Sequence, residues 1–237
     1  MCPSSGSELP PDTGVLIAAG GMGERMGPGI PKQFRPIRGV PMLLRAVRPF
    51  AQHPRVKEIV VALPEDAAAA PPSWLRDVAG ERLRIVAGGR TRADSVYAAM
   101  SVLDAACAIV LVHDAARPFV TVETIDAVIE RAAAGVAAVP AVRVGDTLKR
   151  VKPGTARVLE TVDRSDLWRA QTPQGFPRTV LESAFASVKP AARAAYTDEA
   201  ALIESTGGRV EIVPDRVGNL KVTTEEDFLL AEYLVAP

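Results

Sequence analysis

An apolar run, Val15 to Ala19, that breaks straight into Gly20, Gly21, Gly23 and Gly27 limits what this chain can fold into more than any other stretch. The run has the length and type of a buried parallel strand. Glycines without Cβ atoms let a backbone approach a ligand closely and turn its N–H groups inward. Such groups bind phosphate oxygens, because each carries partial positive charge in a site that excludes water. Arg25 and Lys32 add two full charges to the same loop, so the stretch reads as a triphosphate cradle with two cations aimed into it. Other glycine motifs fit poorly. A dinucleotide fingerprint fails at its third glycine, where Met26 stands, and no Gly-Lys-Ser/Thr follows for a Walker loop.

Beyond the cradle, strand and helix patterns alternate, which predicts a parallel sheet covered by helices. Strands are expected at Val56–Leu63, Leu83–Val86, Ala108–Val112 and Val136–Val142. Helices are expected at Pro41–Phe50, ending near Pro49, at Arg92–Leu103, and at Thr121–Ala134 with Thr121 as its cap. A turn and short helix fill 67–80. The alternation stops at Arg143. From there to Ala170 the residues suit an antiparallel hairpin, 147–151 with 158–162, joined by Pro153-Gly154. The hairpin is basic, has few large apolar groups and must lie on something else, either the parent domain or a second subunit. Helices at 178–187, 198–205 and 224–235 and strands at 210–213 and 219–222 complete the pattern.

The 237 residues suit one α/β domain, 14–237, with the hairpin as an excursion at 143–170 and residues 1–13 as a loose tail. Lys plus Arg equals Asp plus Glu at 28 each, so no basic field argues for nucleic acid. Cys2 and Cys107 make no disulfide framework. No apolar span reaches membrane length, and the N-terminus lacks the cationic start and apolar core of a secretory signal. These features predict a cytoplasmic protein with no membrane partner.

Four further clusters carry chemistry. Gly88-Gly89-Arg-Thr-Arg-Ala-Asp-Ser95 follows the third strand; Gly89 and Ser95 either read the edge of a base or belong to a helix start capped by Thr91. In Val112-His-Asp-Ala-Ala-Arg-Pro118, Asp114 suits ribose hydroxyls or a divalent cation, and Arg117 suits a phosphate; the alternative is a capping Asp with an Arg partner. His53 and His113 read as structural or surface residues, not metal ligands, because no second ligand sits at a binding spacing. The hairpin brings Asp146-Thr147, Lys149, Thr161-Val-Asp-Arg164 and, beyond it, Gln171-Thr172-Pro-Gln-Gly175: donors for a phosphorylated substrate, or a solvated basic surface. In Tyr196-Thr197-Asp-Glu-Ala200 the Thr and Asp are good helix caps, and Lys221 in Gly218-Asn-Leu-Lys-Val-Thr223 is a third phosphate charge or a plain surface lysine.

Taken in order, Ala-Gly-Gly-x-Gly-x-Arg-Met, Pro-Lys-Gln, Gly-Gly-x-x-Arg-x-Asp-Ser-Val, Val-His-Asp-Ala-Ala-Arg-Pro, Asp-Thr-x-Lys, Thr-Val-Asp-Arg, Thr-Pro-Gln, Thr-Asp-Glu-Ala and Asn-x-Lys-Val-Thr resemble the 2-C-methyl-D-erythritol 4-phosphate cytidylyltransferase family over residues 15–235. The resemblance implies a Rossmann-like, mostly parallel sheet of the nucleotidyltransferase (GT-A-like) type, with the hairpin arm used in a homodimer. It implies transfer of CMP from CTP to the methylerythritol phosphate in non-mevalonate isoprenoid synthesis, with magnesium. It casts Arg25, Lys32, Lys221 and Arg164 as catalytic cations, and puts the nucleotide against Ala19, Gly20, Gly21, Gly23, Gly89, Ser95 and Asp114. Arg117, Thr147, Arg164, Thr172 and Thr197 fall to the acceptor, with Arg164 serving the partner's site. Asp114 is the one candidate metal ligand. Two departures stand out: Ala-Gly-Gly where the family often has Ala-Ala-Gly, and Gly218 where an acidic residue is common. A ribitol-phosphate cytidylyltransferase, a CTP sensor without turnover and a nicotinamide-dependent dehydrogenase are the competing expectations; the last lacks both the third glycine and an acidic residue near position 40.

Overall fold

The computed structural model describes residues 12–21 and 30–235. Its elements are β1 (Thr13–Ala18), β2 (Pro36–Ile37), β3 (Val40–Pro41), α1 (Met42–Ala51), β4 (Val56–Leu63), α2 (Glu65–Ala69), α3 (Ser73–Ala79), β5 (Leu83–Ala87), α4 (Arg92–Val102), β6 (Ile109–Asp114), α5 (Val122–Ala133) and β7 (Ala137–Arg143). The chain continues through β8 (Leu148–Val151), β9 (Val158–Val162), β10 (Trp168–Ala170), β11 (Gln174–Pro177), α6 (Arg178–Ser187), α7 (Glu199–Ser205), β12 (Val210–Pro214) and α8 (Glu225–Leu234).

Strands β5, β4, β1 and β6 lie side by side in that order and run parallel. Beyond β6, β11 enters antiparallel and also touches β7. The far half of β7 pairs antiparallel with β10, and β12 pairs with β7 in parallel. The expected mostly parallel sheet is therefore present, with an antiparallel insertion that the sequence reading lacked. Residues 168–177 contain two prolines and a glycine, which hide any strand pattern there. What makes β11 a strand is tertiary: Phe176 is fully buried, and a Cβ on Gly175 would sit 2.3 Å from Val128 Cγ1 of α5. Only glycine lets that helix close on the strand.

Period-two alternation splits the core into two layers. Val15 and Ile17 of β1 and Leu111 of β6 face a cluster with Leu43, Val47 and Phe50 of α1 and Ile125, Val128 and Ile129 of α5. Leu16, Val110 and Val112 face the opposite cluster, with Val96, Ala99 and Met100 of α4 and Leu181 and Phe185 of α6. A third cluster seats α8, through Phe228 and Ala231, on Ile37, Met42 and Val222.

Three local expectations are corrected. Helix α1 runs through Pro49 to Ala51 rather than ending at the proline, because Phe50 and Ala51 are needed in the core. Residues 219–222 form a pinned loop, not a strand; the Asn219 amide donates to Thr172 O and Asp215 Oδ2, and Val222 N–H to Ala116 O. Strand β6 extends two residues past Val112 and carries His113 and Asp114 on the strand itself. The hairpin pairs β8 with β9 as a separate two-stranded sheet, and Val151, Val158 and Leu159 on it are exposed.

Candidate active site

In open parallel sheets, ligands sit outside the carboxyl ends of the strands where the strand order reverses. Here that point lies between β1 and β6, and a cleft opens there, lined by Ala19, Gly20, Gly21, Lys32, Asp114 and Lys221, with Gly89 and Ser95 on its wall. Gly23 and Arg25, the other residues expected in the cradle, lie outside the described residues.

The wall is built by close approach of two strand ends. Gly88 N–H donates to Leu63 O, and a Cβ on Gly88 would lie 3.3 Å from Gly20 Cα and 2.9 Å from Ser95 Oγ. Ser95 is buried, accepts from Gly89 N–H at 3.1 Å and donates to Thr91 O at 3.0 Å. Thr91 Oγ1 accepts from Asp94 N–H, so the expected cap is present. Ser95 thus holds the glycine turn in shape from its own helix: the expected capped helix start is present, and the same stretch lines the cleft. Among the described residues, no atom lies within 4 Å of a would-be Cβ on Gly21.

Lys32 stands on a short 3₁₀ turn, Lys32–Phe34. The neighbouring Gln33 is buried and donates from Nε2 to Ala19 O at 3.0 Å. That bond fastens the lysine's turn to the end of β1. Gln33 was quoted only as part of Pro-Lys-Gln; its tethering role needs the fold to be seen.

Four charged side chains form a chain that begins at Lys221 in the cleft and runs beneath its floor. Lys221 Nζ lies 2.7 Å from Asp114 Oδ2, Arg92 Nε lies 2.9 Å from Asp114 Oδ1, and Arg92 Nη1 reaches both Glu199 oxygens at 2.9 and 2.8 Å. Asp114 and Glu199 are 7% and 2% exposed, so each carboxylate depends on its partners to stay ionised. Burial alone would push the Asp114 carboxyl up; the combined charges of Arg92 and Lys221 outweigh it and hold the group far below the usual carboxylate range. Glu199 goes the other way, because burial, helped by Asp114, exceeds what Arg92 returns. Arg92 is fixed as a cation: burial opposes its charge, but Glu199 and Asp114 overcome that.

Behind Asp114 lies a buried hydrogen-bond relay. His113 Nε2 is 3.0 Å from Arg117 O, and Nδ1 is 3.0 Å from Thr172 Oγ1. A carbonyl only accepts, so Nε2 carries the proton and Nδ1 is the acceptor. The Thr172 hydroxyl then donates to Nδ1 and accepts from Asp114 N–H at 3.1 Å. Burial drives the His113 pKa from 6.5 to about 4, which keeps this neutral tautomer in place at pH 7. His113 is structural, as expected, and so is His53, which is buried with Nε2 2.9 Å from Asp126.

The acceptor residues expected from sequence are not gathered here. Thr172 and Arg117 are buried behind the cleft floor, with Arg117 donating to Asn219 O and Ala170 O, so both act on Asp114 and the 219–222 loop rather than lining the cleft. Thr147 and Arg164 are exposed at the base of the hairpin, where Arg164 donates to Gly145 O. Thr197 is exposed just before α7, whose cap is Asp198, accepting from Ala201 N–H at 2.9 Å. Beside Gly218, a Cβ would meet the Arg216 guanidinium at 3.2 Å, so the acidic residue common at this place would have had a cation next to it. Arg92 and Glu199 were quoted inside motifs, but the sequence reading gave neither a cleft role. They lie 107 positions apart, and no local spacing signals their pairing.

Comparison with known proteins comes down on one family. The sequence model for 2-C-methyl-D-erythritol 4-phosphate cytidylyltransferase (IspD) matches residues 13–236. A protein of that name from Symbiobacterium thermophilum is 45% identical over 224 residues, 93% of this chain and 92% of its own. One from Streptomyces avermitilis is 42% identical over 94% of this chain and 92% of its own. The crystal structure of the Francisella tularensis protein of that name superposes with a TM-score of 0.79 at 31% identity, covering 94% of this chain and all of that one.

Proposed function

The chain belongs to the 2-C-methyl-D-erythritol 4-phosphate cytidylyltransferase family, and from that premise we infer that the cleft at the end of β1 takes CTP, with the base toward Gly89 and Ser95 and the triphosphate toward Lys32, Lys221 and Arg25. The enzyme moves CMP from CTP to 2-C-methyl-D-erythritol 4-phosphate and releases pyrophosphate; its relatives are named cytidylyltransferases of that phosphate. The observation that carries this reading is the convergence of Lys32 and Lys221, from opposite ends of the chain, on one glycine-lined strand end.

The acceptor phosphate is already an anion near neutral pH, so attack on the α-phosphorus needs no general base. The barrier is the meeting of two anions and the charge that builds on the bridging oxygens, which fixed cations offset. Gln33 and Asp114 hold Lys32 and Lys221 at the cleft before substrate arrives, so little reorganisation is left for the reaction itself. Magnesium fits this donor set in one way. Among the described residues no cluster of three His, Cys, Asp or Glu side chains is placed to hold a metal, and Asp114 is the one carboxylate lining the cleft, so phosphate oxygens would carry most of the coordination. When bound, the ion supplies charge neutralisation at those phosphates.

The remaining assignments are carried from the family resemblance. Residues 14–237 work as one domain, and the β8–β9 arm pairs the protein as a homodimer, delivering Arg164 and Thr147 to the partner's acceptor pocket beside Thr197. The apolar side chains left exposed on the arm support such a contact. The setting is the cytoplasm; no described helix is long and apolar enough to cross a membrane. Pyrophosphate release from CTP and magnesium, with methylerythritol phosphate and ribitol phosphate assayed side by side, tests the reading. Release with the first acceptor alone is expected. Release only with ribitol phosphate would overturn the acceptor, and CTP binding without release from either would leave a sensor.

A further inference from the structure

Glu199 touches no part of the cleft surface, yet it is the deepest member of the ion chain that ends there. It is 2% exposed at the first turn of α7, and both its oxygens are committed to Arg92 Nη1. Arg92 spends its Nε on Asp114 Oδ1, which leaves Asp114 Oδ2 for Lys221. The order matters. An arginine beside one buried carboxylate would settle end-on or side-on to it with its whole fork. Arg92 instead meets Asp114 through Nε alone, with Nη1 drawn to Glu199 and Nη2 on no partner among the described residues. Asp114 therefore keeps one oxygen for the lysine.

The chain is also balanced in charge: two carboxylates alternate with two cations. Without the Glu199 charge, Arg92 would be an excess cation at a cleft meant for a polyanion, able to take Asp114 from Lys221 or to bind a phosphate where no acceptor can reach it. A second feature agrees. Arg92 Nη2 is buried with no hydrogen-bond partner among the described residues, so the guanidinium sits where its two carboxylates pull it, not where all its donors would be satisfied.

We propose that Glu199 is a positioning residue for cytidylyl transfer: by clamping Arg92 it presents Asp114 Oδ2 to Lys221 and so fixes the lysine at the phosphate end of the cleft. The inference rests on the reading of the cleft given above and adds a residue to it. The isosteric Glu199→Gln removes the charge and keeps the shape. Steady-state pyrophosphate release is expected to fall about 10- to 100-fold in kcat, the range that supporting side chains of preorganised sites control, with KM for CTP changed less than about threefold, since the base wall at Ser95 is untouched. Glu199→Asp, which keeps the charge, should recover part of that loss.

The decisive measurement is a double-mutant cycle. If Glu199 acts through Lys221, Glu199→Gln adds little to the defect of Lys221→Ala; an independent structural effect would multiply with it. Multiplying defects, or a Glu199→Gln enzyme with kcat within twofold of wild type, would overturn the proposal. Should Glu199→Gln fail to fold, Arg92→Lys reports on the same link, because a lysine cannot bridge two carboxylates in this way; full turnover there would overturn it equally. A wild-type enzyme that releases no pyrophosphate would instead overturn the reading beneath it.

Discussion

Acidification should weaken this fold through His113 before the neighbouring Asp114 responds. His113 is fully buried against Phe50, with ring centroids 5.0 Å apart, and its proton inventory is fixed by Arg117 O and Thr172 Oγ1. Burial dominates its shift, and the Asp114 charge and the Arg117 carbonyl recover only part, leaving a pKa near 4 against an ordinary 6.5. The unfolded chain therefore takes up a proton first. Stability from the neutral ring is fully present above pH 6.5 and is lost as pH falls toward 4. Carrying the proton affinity over that interval is worth about 3 kcal/mol, at about 1.4 kcal/mol per tenfold step. That is a large share of the ~5–15 kcal/mol by which folded domains exceed their unfolded chains. The assay is urea unfolding at pH 7 and pH 4.5 for the wild type and for His113→Gln, whose amide can still donate to Arg117 O. Glutamine will cost stability at both pH values by losing the ring, so the informative quantity is the slope: the wild type should lose about 2–3 kcal/mol more than the variant over this range. Acidic groups common to both proteins cancel in the difference. Equal slopes would refute the claim that His113 is buried neutral.

Two further substitutions probe the cleft. Lys32→Ala is expected to lower turnover by about 3–4 kcal/mol of transition-state stabilisation, the usual loss for one electrostatic donor, while circular dichroism still shows a folded protein, since the tether to β1 comes from Gln33; near-normal turnover would remove Lys32 from the mechanism. Thr172→Val keeps the shape but strands the Asp114 amide and His113 Nδ1, so it should cost about 1–3 kcal/mol in thermal or urea unfolding and lower kcat through Asp114 with less effect on the acceptor KM. A variant that is fully stable but weak for the acceptor would instead put Thr172 in direct contact with substrate.

The parts of this fold that the sequence disclosed are those fixed by local physics. Val56–Leu63, with the apolar run Ile59–Leu63 at its heart, forms β4 with the expected bounds; Arg178–Ser187 forms α6 with those expected for it, and Thr91 and Thr121 cap the helices they were expected to cap. The parallel order followed from alternation, and the cleft from the glycines that end β1. What stayed hidden depends on partners distant in sequence. Strand β11 shows no strand pattern until α5 is seen to press on Gly175, and Thr172 reads as an exposed substrate donor until β6 is seen to carry His113 and Asp114 beside it. Arg92 looked like a helix-start residue because nothing within one turn of it reveals that two acids from β6 and α7 meet on its guanidinium.

On the proposed reading, the ion chain also explains how Lys221 can be held in place before a triphosphate arrives. A lysine on a long flexible stem, without a counter-ion, would turn toward solvent. Asp114 supplies that counter-ion at 2.7 Å. On the proposed reading, an incoming triphosphate then exchanges one anion for another around the same lysine, and most of the Coulomb energy is conserved across the exchange. The cost that remains falls on Asp114, which is left with Arg92 alone. A carboxylate that buried survives with one partner only if the partner cannot leave, and Glu199 is what prevents Arg92 from leaving. The three groups beneath Lys221 therefore work as a unit: weakening the deepest one should be felt at the lysine, although Glu199 itself never meets the substrate.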